Sequence, residues 1–472
     1  MRRFIRPFRS AASQNVIVGI ICFCGPGMFN ALNGLGDAGG NDPAIASAMN
    51  AVVYLCFAVS GLSGGLAYKL LGGRTLLSVG ALTYCAYAWG AYAWGAWGAS
   101  WLALLGAGLL GFGAGGLWTS QGVITLSFAA EHEKGHFVAV FWCIFNLGGL
   151  FGGMLTFLLN SGIDASDAAG GVSATTYFVF IAVMVAGALL ALCLVVSPEH
   201  IVRSDGSSPA RREERSLRHE LALVVRVPTE RFMLLLTPLL ISSNWAYTYN
   251  FNALNAALFN ARTRGLNAAF FWGAQMLAAW ALGKQLDGVW WPARGLGRRS
   301  RALLGSAIVY AAWVAQSTYA LAVQFGTYGS SCPSKADTGC AGPKIDVASS
   351  RWPVPGLLFA FMGVADAFIQ SYCLWLIGSH TSDPYATGRY GGYFKGVQSA
   401  GAGVAWMIDA LGVEFAPQLV VGVCLVCAGA PFVILAARAI TDGIICESDA
   451  TNCSLRAEVQ VQTLPSTSVG IA

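Results

Sequence analysis

Long apolar runs recur along the whole chain, each interrupted by a short segment that is charged or rich in Gly and Pro. A bilayer core about 30 Å thick requires about 20 helical residues to cross it. Because lipid cannot hydrogen-bond a bare backbone, such runs must form helices. We predict an all-α membrane protein whose twelve transmembrane helices cover residues 16–36, 46–68, 75–97, 101–128, 137–160, 174–196, 231–257, 266–286, 301–325, 354–380, 386–409 and 413–438.

The composition leaves little room for a soluble domain. Hydrophobic residues make up 56% of the chain and charged residues 11%, whereas soluble domains are about 25% charged. The 58 glycines suit helices that must pack closely without a hydrophobic driving force in lipid. The sequence shows no nucleophile, base and oxyanion arrangement, so we expect no enzyme, no cofactor and no metal site. The net charge of +5 indicates no nucleic-acid partner, because the positions of the basic residues are explained by their orientation across a bilayer.

The positive charges are unevenly distributed between the two sides that the predicted spans define. Of the 28 Lys and Arg residues, most lie on the side of the N-terminus. The exceptions are Arg262, Arg264, Lys335, Lys344 and Arg351. The positive-inside rule then places the N-terminus (1–15) and the C-terminal tail (441–472) in the cytoplasm. We therefore predict an integral, multi-pass protein of the lipid bilayer with cytoplasmic termini.

The longest polar stretch between spans, the linker at 197–230, divides the chain into two groups of six predicted helices. We call residues 16–196 the N-terminal half and residues 231–440 the C-terminal half. Secondary transporters are often built from two such repeats, which rock about a central binding site. Alternating charges in the second part of this cytoplasmic linker predict a solvated surface helix.

Related glycine-rich basic loops follow spans 2 and 8. The first, GGLAYKLLGGRTLL, covers residues 64–77, and the second contains LGKQLDG followed by GRRSR at 297–301. Both resemble the inner-loop signature of the major facilitator superfamily, in which an acid four residues after a Gly precedes a basic pair. The resemblance implies an inner gate formed by Arg74, Asp287, Arg298 and Arg299. In the first loop Tyr68 occupies the position of the acid.

A closer family resemblance lies near the N-terminus. The segments ICFCGPGMFNALNGLGDAG (21–39) and NAVVYLCFAVSGLSGGLAYKLLGGR (50–74) are similar to the fungal Unc-93-like branch of that superfamily. Members of this branch are twelve-span proteins, many without an assigned substrate, and some animal relatives act as channel regulators or trafficking partners. The resemblance implies a facilitator-type secondary transporter that moves a small solute by alternating access. The alternative is a non-transporting regulatory or trafficking subunit, whose partner is another membrane protein.

Polar residues inside the predicted spans concentrate on spans 1, 4, 7 and 10, which line the central path in the facilitator fold. A polar group that faces lipid costs several kcal/mol, so these side chains should face protein or a wet cavity. Hydrogen bonding between helices is the alternative role for such amides. We predict a substrate cavity lined by Asn30, Asn33, Gln121, Asn244, Tyr247, Thr248, Asn255, Asp366 and Gln370.

Asp366 is the acid predicted to lie nearest the middle of a span. An intramembrane carboxylate usually marks a pathway, a proton site or an ion pair. We predict that Asp366 carries the proton if protons are the coupling ion. The alternative is a fixed ion pair with Lys395 or a structural hydrogen bond. Arg389 and Lys395 are themselves predicted to snorkel to the headgroups near the inner end of span 11.

Four smaller features yield local predictions. The sequence at 25–27, Gly-Pro-Gly, should interrupt span 1, and a broken helix beside a substrate site is a known transporter device. GxxxG motifs in spans 2, 5 and 11 should allow close packing between the halves. The charged loop at 131–136 is expected to be solvated. Cys332 and Cys340 share the longest outer loop, where an oxidising compartment favours a disulfide.

Overall fold

The computed structural model describes residues 9–34, 43–159, 174–209, 216–328 and 344–441. Within them the chain is all-α, apart from the isolated β-bridges Ser10–Val202 and Phe259–Ile345. The α-helices are α1 (Ala11–Cys22), α2 (Met28–Gly34), α3 (Pro43–Leu62), α4 (Gly64–Trp97), α5 (Ser100–Ser127), α6 (Lys134–Leu159), α7 (Ala174–Leu194), α8 (Leu217–Arg226), α9 (Arg231–Ser242), α10 (Ala261–Leu286), α11 (Arg298–Ala322), α12 (Pro353–His380), α13 (Pro384–Ala410) and α14 (Phe415–Arg438). The predicted all-α class is confirmed for these residues.

Eight helical segments of the described chain are long and apolar enough to cross a membrane. They are Ala11–Asn33, Ile45–Leu62, Ser100–Ser127, Lys134–Leu158, Ala174–Leu194, Arg298–Gly326, Pro353–His380 and Phe415–Arg438. The protein is therefore an integral, multi-pass membrane protein. The predicted spans at 75–97, 231–257, 266–286 and 386–409 also fall on helices. Of these helices, α9 has only 12 residues, and the other three are long enough but less apolar than the eight segments. The count of twelve spans stays a prediction.

Span 1 is interrupted where its sequence predicts an interruption. Residues Phe23–Gly27 form a π-helical segment between α1 and α2, with Pro26 inside it. Proline has no N–H to donate to the preceding turn, so regular α-helical bonding cannot pass through this point. A second π-helical segment, Tyr249–Ala256, follows α9 in span 7. The first helices of both halves therefore contain an irregular turn.

The turn between spans 2 and 3 falls between the predicted spans. α3 ends at Leu62 and α4 begins at Gly64, but Ser63 between them keeps right-handed helical angles and Ala67 donates its N–H to the Ser63 carbonyl (3.0 Å). The helical path is broken instead at Gly72, whose φ of 73° lies in the left-handed region that only glycine adopts readily. The first turns of α4 therefore continue from α3, and the chain turns at Gly72.

Glycines bring the two halves into close contact along two helix pairs. A Cβ built on Gly61 of α3 would lie 2.7 Å from the backbone nitrogen of Gly396 in α13. A Cβ on Gly153 of α6 would lie 2.7 Å from the carbonyl oxygen of Gly265 in α10. The predicted packing role of the GxxxG motifs is confirmed at these positions. One large cluster of buried apolar residues, including Phe141 of the N-terminal half and Tyr372 of the C-terminal half, continues between these pairs.

Candidate functional site

A cleft between the two halves is lined by both of them. It encloses about 790 Å³, including the space that is open to solvent. Its lining residues are Phe29, Asn30, Asn33, Ala46, Ser47, Asn50 and Tyr54 from the N-terminal half, and Tyr247, Phe251, Asn252, Asn255, Ala256, Arg264, Trp272 and Trp406 from the C-terminal half. Ligand sites in proteins are typically such concave, partly apolar surfaces with a few polar groups.

Aromatic rings and carboxamides dominate the lining of this cleft. Carboxamides both donate and accept hydrogen bonds, whereas aromatic rings offer rigid apolar area. Arg264 is the single charged side chain among these described lining residues. The surface therefore suits a solute that combines polar groups with an apolar body.

The cleft lies towards one end of the bundle. α10 begins beside the Phe259–Ile345 bridge, where Arg264 lines the cleft. At the other end of α10, Asp287 contacts the loop at 131–136, and Ser204 of the linker donates to Glu133 in the same loop (2.8 Å). We call this second end the linker side.

Asp366 is buried one layer below the cleft, with 7% of its surface exposed. Tyr247 donates its hydroxyl to Asp366 Oδ2 (2.9 Å), and Gln275 donates its amide Nε2 to the same oxygen (2.7 Å). Tyr247 also lines the cleft. A hydrogen-bonded connection therefore leads from the cleft to the buried acid.

Gln275 joins this acid to the N-terminal half. Its Oε1 accepts hydrogen bonds from the indole N–H of Trp142 (2.9 Å) and from Asn146 Nδ2 (3.2 Å), both on α6. Gln275 was not predicted, because it lies in span 8 and not on spans 1, 4, 7 or 10. The available signal was a glutamine within an apolar stretch, which indicates a buried hydrogen-bonding partner.

Lys395 is buried at 5% exposure, so the predicted snorkelling of this residue is wrong. Its ammonium donates to Gln398 Oε1 (2.8 Å) and Gln370 Oε1 (3.4 Å). It also lies over the rings of Trp118 (4.8 Å) and Phe394 (4.6 Å). The charge stays inside the bundle because carbonyl oxygens and aromatic faces replace water around it.

Gln370 lies between the buried cation and the buried acid. Besides accepting from Lys395, it donates Nε2 to Asn244 Oδ1 (2.6 Å) and, at 3.5 Å, to Asp366 Oδ1. Three of the predicted cavity residues, Asn244, Asp366 and Gln370, are therefore brought together. They form a polar layer beneath the cleft instead of lining it.

A second buried acid lies beside the cleft at the end of α13. Asp409 accepts hydrogen bonds from Asn252 Nδ2 (2.8 Å), Ser47 Oγ (3.1 Å) and Gln418 Nε2 (3.0 Å). Ser47 belongs to the N-terminal half, so this carboxylate also links the two halves. Asp409 was not predicted: it is the last residue of predicted span 11, and the sequence alone does not show the residues of other helices that bury it.

The structure separates the predicted cavity residues into three groups. Four of them, Asn30, Asn33, Tyr247 and Asn255, line the cleft. The second group is the polar layer beneath it. The third group lies apart: Gln121 is buried in α5 and donates to Thr125 Oγ1 (3.0 Å), while the Thr248 hydroxyl is buried without a hydrogen-bond partner among the described residues.

Two of the four predicted gate residues connect the halves on the linker side. Asp287, at the end of α10, accepts the backbone N–H groups of Gly135 (2.8 Å) and His136 (2.7 Å) in the first turn of α6. A carboxylate at a helix N-terminus satisfies N–H groups that have no partner in the helix. Burial outweighs these bonds and raises the pKa of Asp287 from 3.8 to about 6. Arg298 forms an ion pair with Glu131 (3.1 Å).

The other two predicted gate residues are placed differently. Arg74 donates Nε to the Val195 carbonyl (2.8 Å), which belongs to the same half. Arg299 is exposed at the start of α11. The contacts that Asp287 and Arg298 make between the halves come from the second inner loop, in which the acid is present.

The loop at 131–136 is not simply solvated, so that prediction is wrong. Lys134 is buried at 1% exposure, pairs with Glu131 (2.6 Å) and donates to the Gly378 carbonyl at the end of α12. Glu131 thus holds both Lys134 and Arg298. Within the described chain, no group of three or more His, Cys, Asp or Glu residues is placed to hold a metal ion.

Arg389 is also buried, at 4% exposure, and its predicted snorkelling is wrong. Its guanidinium contacts Glu220 Oε1 (3.0 Å) on α8 of the linker. The other carboxylate oxygen of Glu220 lies 3.5 Å from Lys69 Nζ. The guanidinium remains buried because the linker supplies an opposite charge that the sequence of span 11 does not show.

The predicted disulfide concerns residues outside the described part of the chain. Cys332 and Cys340 both fall there, so their disulfide stays a prediction.

Comparison with known proteins finds similarity in sequence to the UNC-93 family. A family model described as "Ion channel regulatory protein UNC-93" matches residues 47–386. UNC93-like protein 1 of Arabidopsis thaliana is 38% identical over 430 residues, which cover 91% of this chain and 90% of the relative. UNC93-like protein C922.05c of Schizosaccharomyces pombe is 33% identical and covers 86% of this chain and 78% of the relative.

Solved structures of transporters share the fold at low identity. The major facilitator superfamily transporter FucP in its outward conformation superposes with a TM-score of 0.57 at 14% identity, covering 93% of this chain and 99% of FucP. The human organic anion transporter MFSD10 gives a TM-score of 0.56 at 13% identity, covering 92% and 100%. At such identities the likeness concerns the fold alone.

Proposed function

The chain belongs to the UNC-93 family and has the major facilitator fold, and from this premise we propose that it is a facilitator-type secondary transporter. It moves a small solute across a membrane by alternating access between its two halves. One observation carries the proposal: an aromatic and carboxamide-lined cleft lies between the halves, and both contribute to its walls. A subunit that only scaffolds another protein has no need of a polar cleft at this position.

We propose that the chain crosses the membrane twelve times, with the N-terminal half at 16–196, the linker at 197–230 and the C-terminal half at 231–440. In this arrangement the linker side, the N-terminus (1–15) and the tail (441–472) are cytoplasmic. The uneven distribution of Lys and Arg supports this orientation. Epitope tags at residue 2, within 204–216 and at residue 472 should all be protected in intact cells. Labelling of any of them from outside would overturn the orientation.

The arrangement of contacts corresponds to an outward-facing state of the proposed cycle. On the linker side, Asp287 caps α6 and Arg298 pairs with Glu131, so that side is closed. The cleft lies towards the other end of the bundle. Alternating access then requires these linker-side contacts to break while the open end of the cleft closes over the solute.

Asp366 is the proposed site of proton coupling. It is buried, it accepts the Tyr247 hydroxyl, and Tyr247 forms part of the cleft wall. Solute that contacts Tyr247 therefore changes the hydrogen bonding of the acid. Such a contact allows solute and proton to be exchanged in a defined order.

Purified protein in proteoliposomes provides the test. A panel of amino acids, sugars, organic anions and aromatic metabolites should contain a solute that is taken up. An excess of the same solute without label should compete with uptake of the labelled form. Asn33→Leu places an apolar side chain in the cleft and should raise KM for this solute by at least about tenfold. Leu277→Ala, at a residue that is 72% exposed on the bundle surface, is the matched control and should leave KM unchanged.

The description of the matching family model, a regulator of ion channels, favours a second candidate function. In that case the protein regulates another membrane protein or assists its trafficking, and it moves no solute itself. Absence of flux for the whole panel would support this alternative if the protein also changed the activity of a defined channel in the same liposomes. Flux that Asn33→Leu weakens would exclude it.

A further inference from the structure

The linker helix α8 presents three different faces. Successive residues are about 100° apart around a helix, so Leu217, Leu221 and Val225 form one stripe. About 100° away on one side lies Glu220, which packs against the bundle. On the other side lie Arg218 and Arg226, which are exposed. The Ser216 hydroxyl caps the helix by accepting the N–H of His219 (3.3 Å).

The face that packs against the bundle joins the two halves through one carboxylate. Glu220 is 1% exposed. It contacts Arg389 of α13 at 3.0 Å and Lys69 of α4 at 3.5 Å. In the first inner loop, Tyr68 occupies the position where the facilitator signature has an acid. The linker therefore brings a carboxylate to the residue next to that position, and this carboxylate also reaches the other half.

The apolar stripe of the same helix has no cover within the described residues. Leu217 is 52% exposed, Leu221 49% and Val225 67%. Apolar side chains at spacings of four on a short helix with basic flanks are typical of helices that lie in the membrane interface. The predicted solvated helix does not account for this stripe.

The position of the helix favours the bilayer as the occupant of the stripe. α8 ends at Arg226, and α9 begins at Arg231 after a single 3₁₀ turn, Val227–Thr229. Leu234, one turn into α9, is 56% exposed. The stripe therefore ends within one short turn of an apolar helix, also exposed at its start, that we propose to enter the membrane.

We propose that α8 is an interfacial helix whose apolar stripe is embedded in the leaflet on the linker side. The leaflet holds Glu220 between Lys69 and Arg389, so the membrane itself stabilises the closed linker side. The partner of this surface is a lipid bilayer, and its hydrocarbon contacts the stripe while Arg218 and Arg226 reach the headgroups. The inference does not depend on whether the protein transports a solute.

The first test measures the depth of the helix in lipid nanodiscs. A fluorescent amino acid is introduced at position 221, on the stripe, or at position 222, on the exposed side of the helix. Nitroxides on the lipid acyl chains should quench the probe at 221 about threefold more than the probe at 222, and aqueous iodide should show the opposite order. Equal quenching by iodide at both positions would overturn the proposal.

The second test measures closure by hydrogen–deuterium exchange of the amides at 135 and 136, which bond to Asp287 only when the linker side is closed. Glu220→Gln removes the shared charge and should accelerate this exchange by about tenfold or more. The triple variant with Leu217→Ser, Leu221→Ser and Val225→Ser should accelerate it similarly, because the helix then no longer inserts into the leaflet. Glu199→Gln, at an exposed linker carboxylate, is the matched control and should change nothing.

Each outcome of the second test is decisive. Acceleration by Glu220→Gln without acceleration by the serine variant would show that the bilayer does not hold the helix, and would refute the proposal. Glu220→Asp keeps the charge and should restore most of the protection. If Glu220→Gln does not fold, Lys69→Gln removes the less buried partner and should produce a smaller acceleration. No acceleration by either charge variant would refute the role of the carboxylate.

Discussion

Replacing Asp366 by Asn separates its proposed coupling role from a structural one. Tyr247 and Gln275 both donate to the same oxygen, Oδ2. An asparagine can place its carbonyl oxygen there and keep both hydrogen bonds. Its NH2 group then occupies the other position, which Gln370 approaches only at 3.5 Å. The substitution therefore keeps the two shorter bonds, loses the long one from Gln370, and removes the ability to bind and release a proton.

The energetic cost follows from these contacts. Each bond changes from charge-assisted to neutral, a loss of about 1 kcal/mol, so two bonds lose about 2 kcal/mol. Removal of a buried charge offsets part of this loss. We expect Asp366→Asn to lower the free energy of unfolding by no more than about 1–2 kcal/mol. Asp366→Ala leaves both donors buried without an acceptor, and should lower it by about 3–5 kcal/mol.

Two assays on the same preparations test this reasoning. Denaturant unfolding in detergent gives the difference in stability between the two variants. Uptake into proteoliposomes with an imposed pH gradient measures accumulation of the solute found in the flux panel. Asp366→Asn should abolish accumulation driven by the gradient and retain exchange of solute. Normal accumulation by this variant would refute proton coupling at Asp366, and equal destabilisation by Asn and Ala would refute the hydrogen-bond argument.

Three further predictions concern the gate, the interface and the outer loop. Since its pKa of about 6 exceeds that of an exposed aspartate, Asp287 binds its proton more tightly in the folded protein. Its contribution to stability is largest below about pH 4 and is lost as pH rises through about 6, so Asp287→Asn should flatten the melting temperature across this interval. Gly61→Ala should lower the free energy of unfolding by about 1–3 kcal/mol through overpacking. Gly108→Ala, whose new Cβ meets its nearest neighbour at 3.8 Å, should leave it unchanged. Mass spectrometry of non-reduced peptides should find Cys332 joined to Cys340, and two free thiols would contradict this.

The general fold could be predicted from the sequence because the lipid bilayer strongly constrains the backbone structures that can cross it. Runs of apolar residues that match the bilayer thickness must be helical, and in the described residues each predicted span falls on helical segments, with a turn at 243–246 inside span 7. Irregular turns were less predictable. The π-helical segment Tyr249–Ala256 contains no Gly or Pro that would mark it in the sequence.

The candidate site could be predicted from the sequence only in part, and the wrong assignments have one cause. Asn30 and Asn33 could be assigned to the cleft because polar groups on an otherwise apolar helix must find a polar surface. Lys395 and Arg389 were misplaced because a charge considered alone is stable only in water. Their actual partners, Gln398 and Glu220, come from the fold, and no single-sequence pattern connects residues 220 and 389.

The two glycine contacts between the halves have a mechanical consequence. Where backbone meets backbone, as at Gly61 and Gly396, no side chains interlock, so one half can turn against the other without changes of rotamer. These two helix pairs then add little to the barrier between conformations. The barrier arises instead from the polar contacts that cross between the halves, at Asp287 on the linker side, at Gln275 in the middle and at Asp409 beside the cleft. Substitutions at these three residues should therefore change the rate of interconversion far more than substitutions of exposed apolar residues such as Leu277.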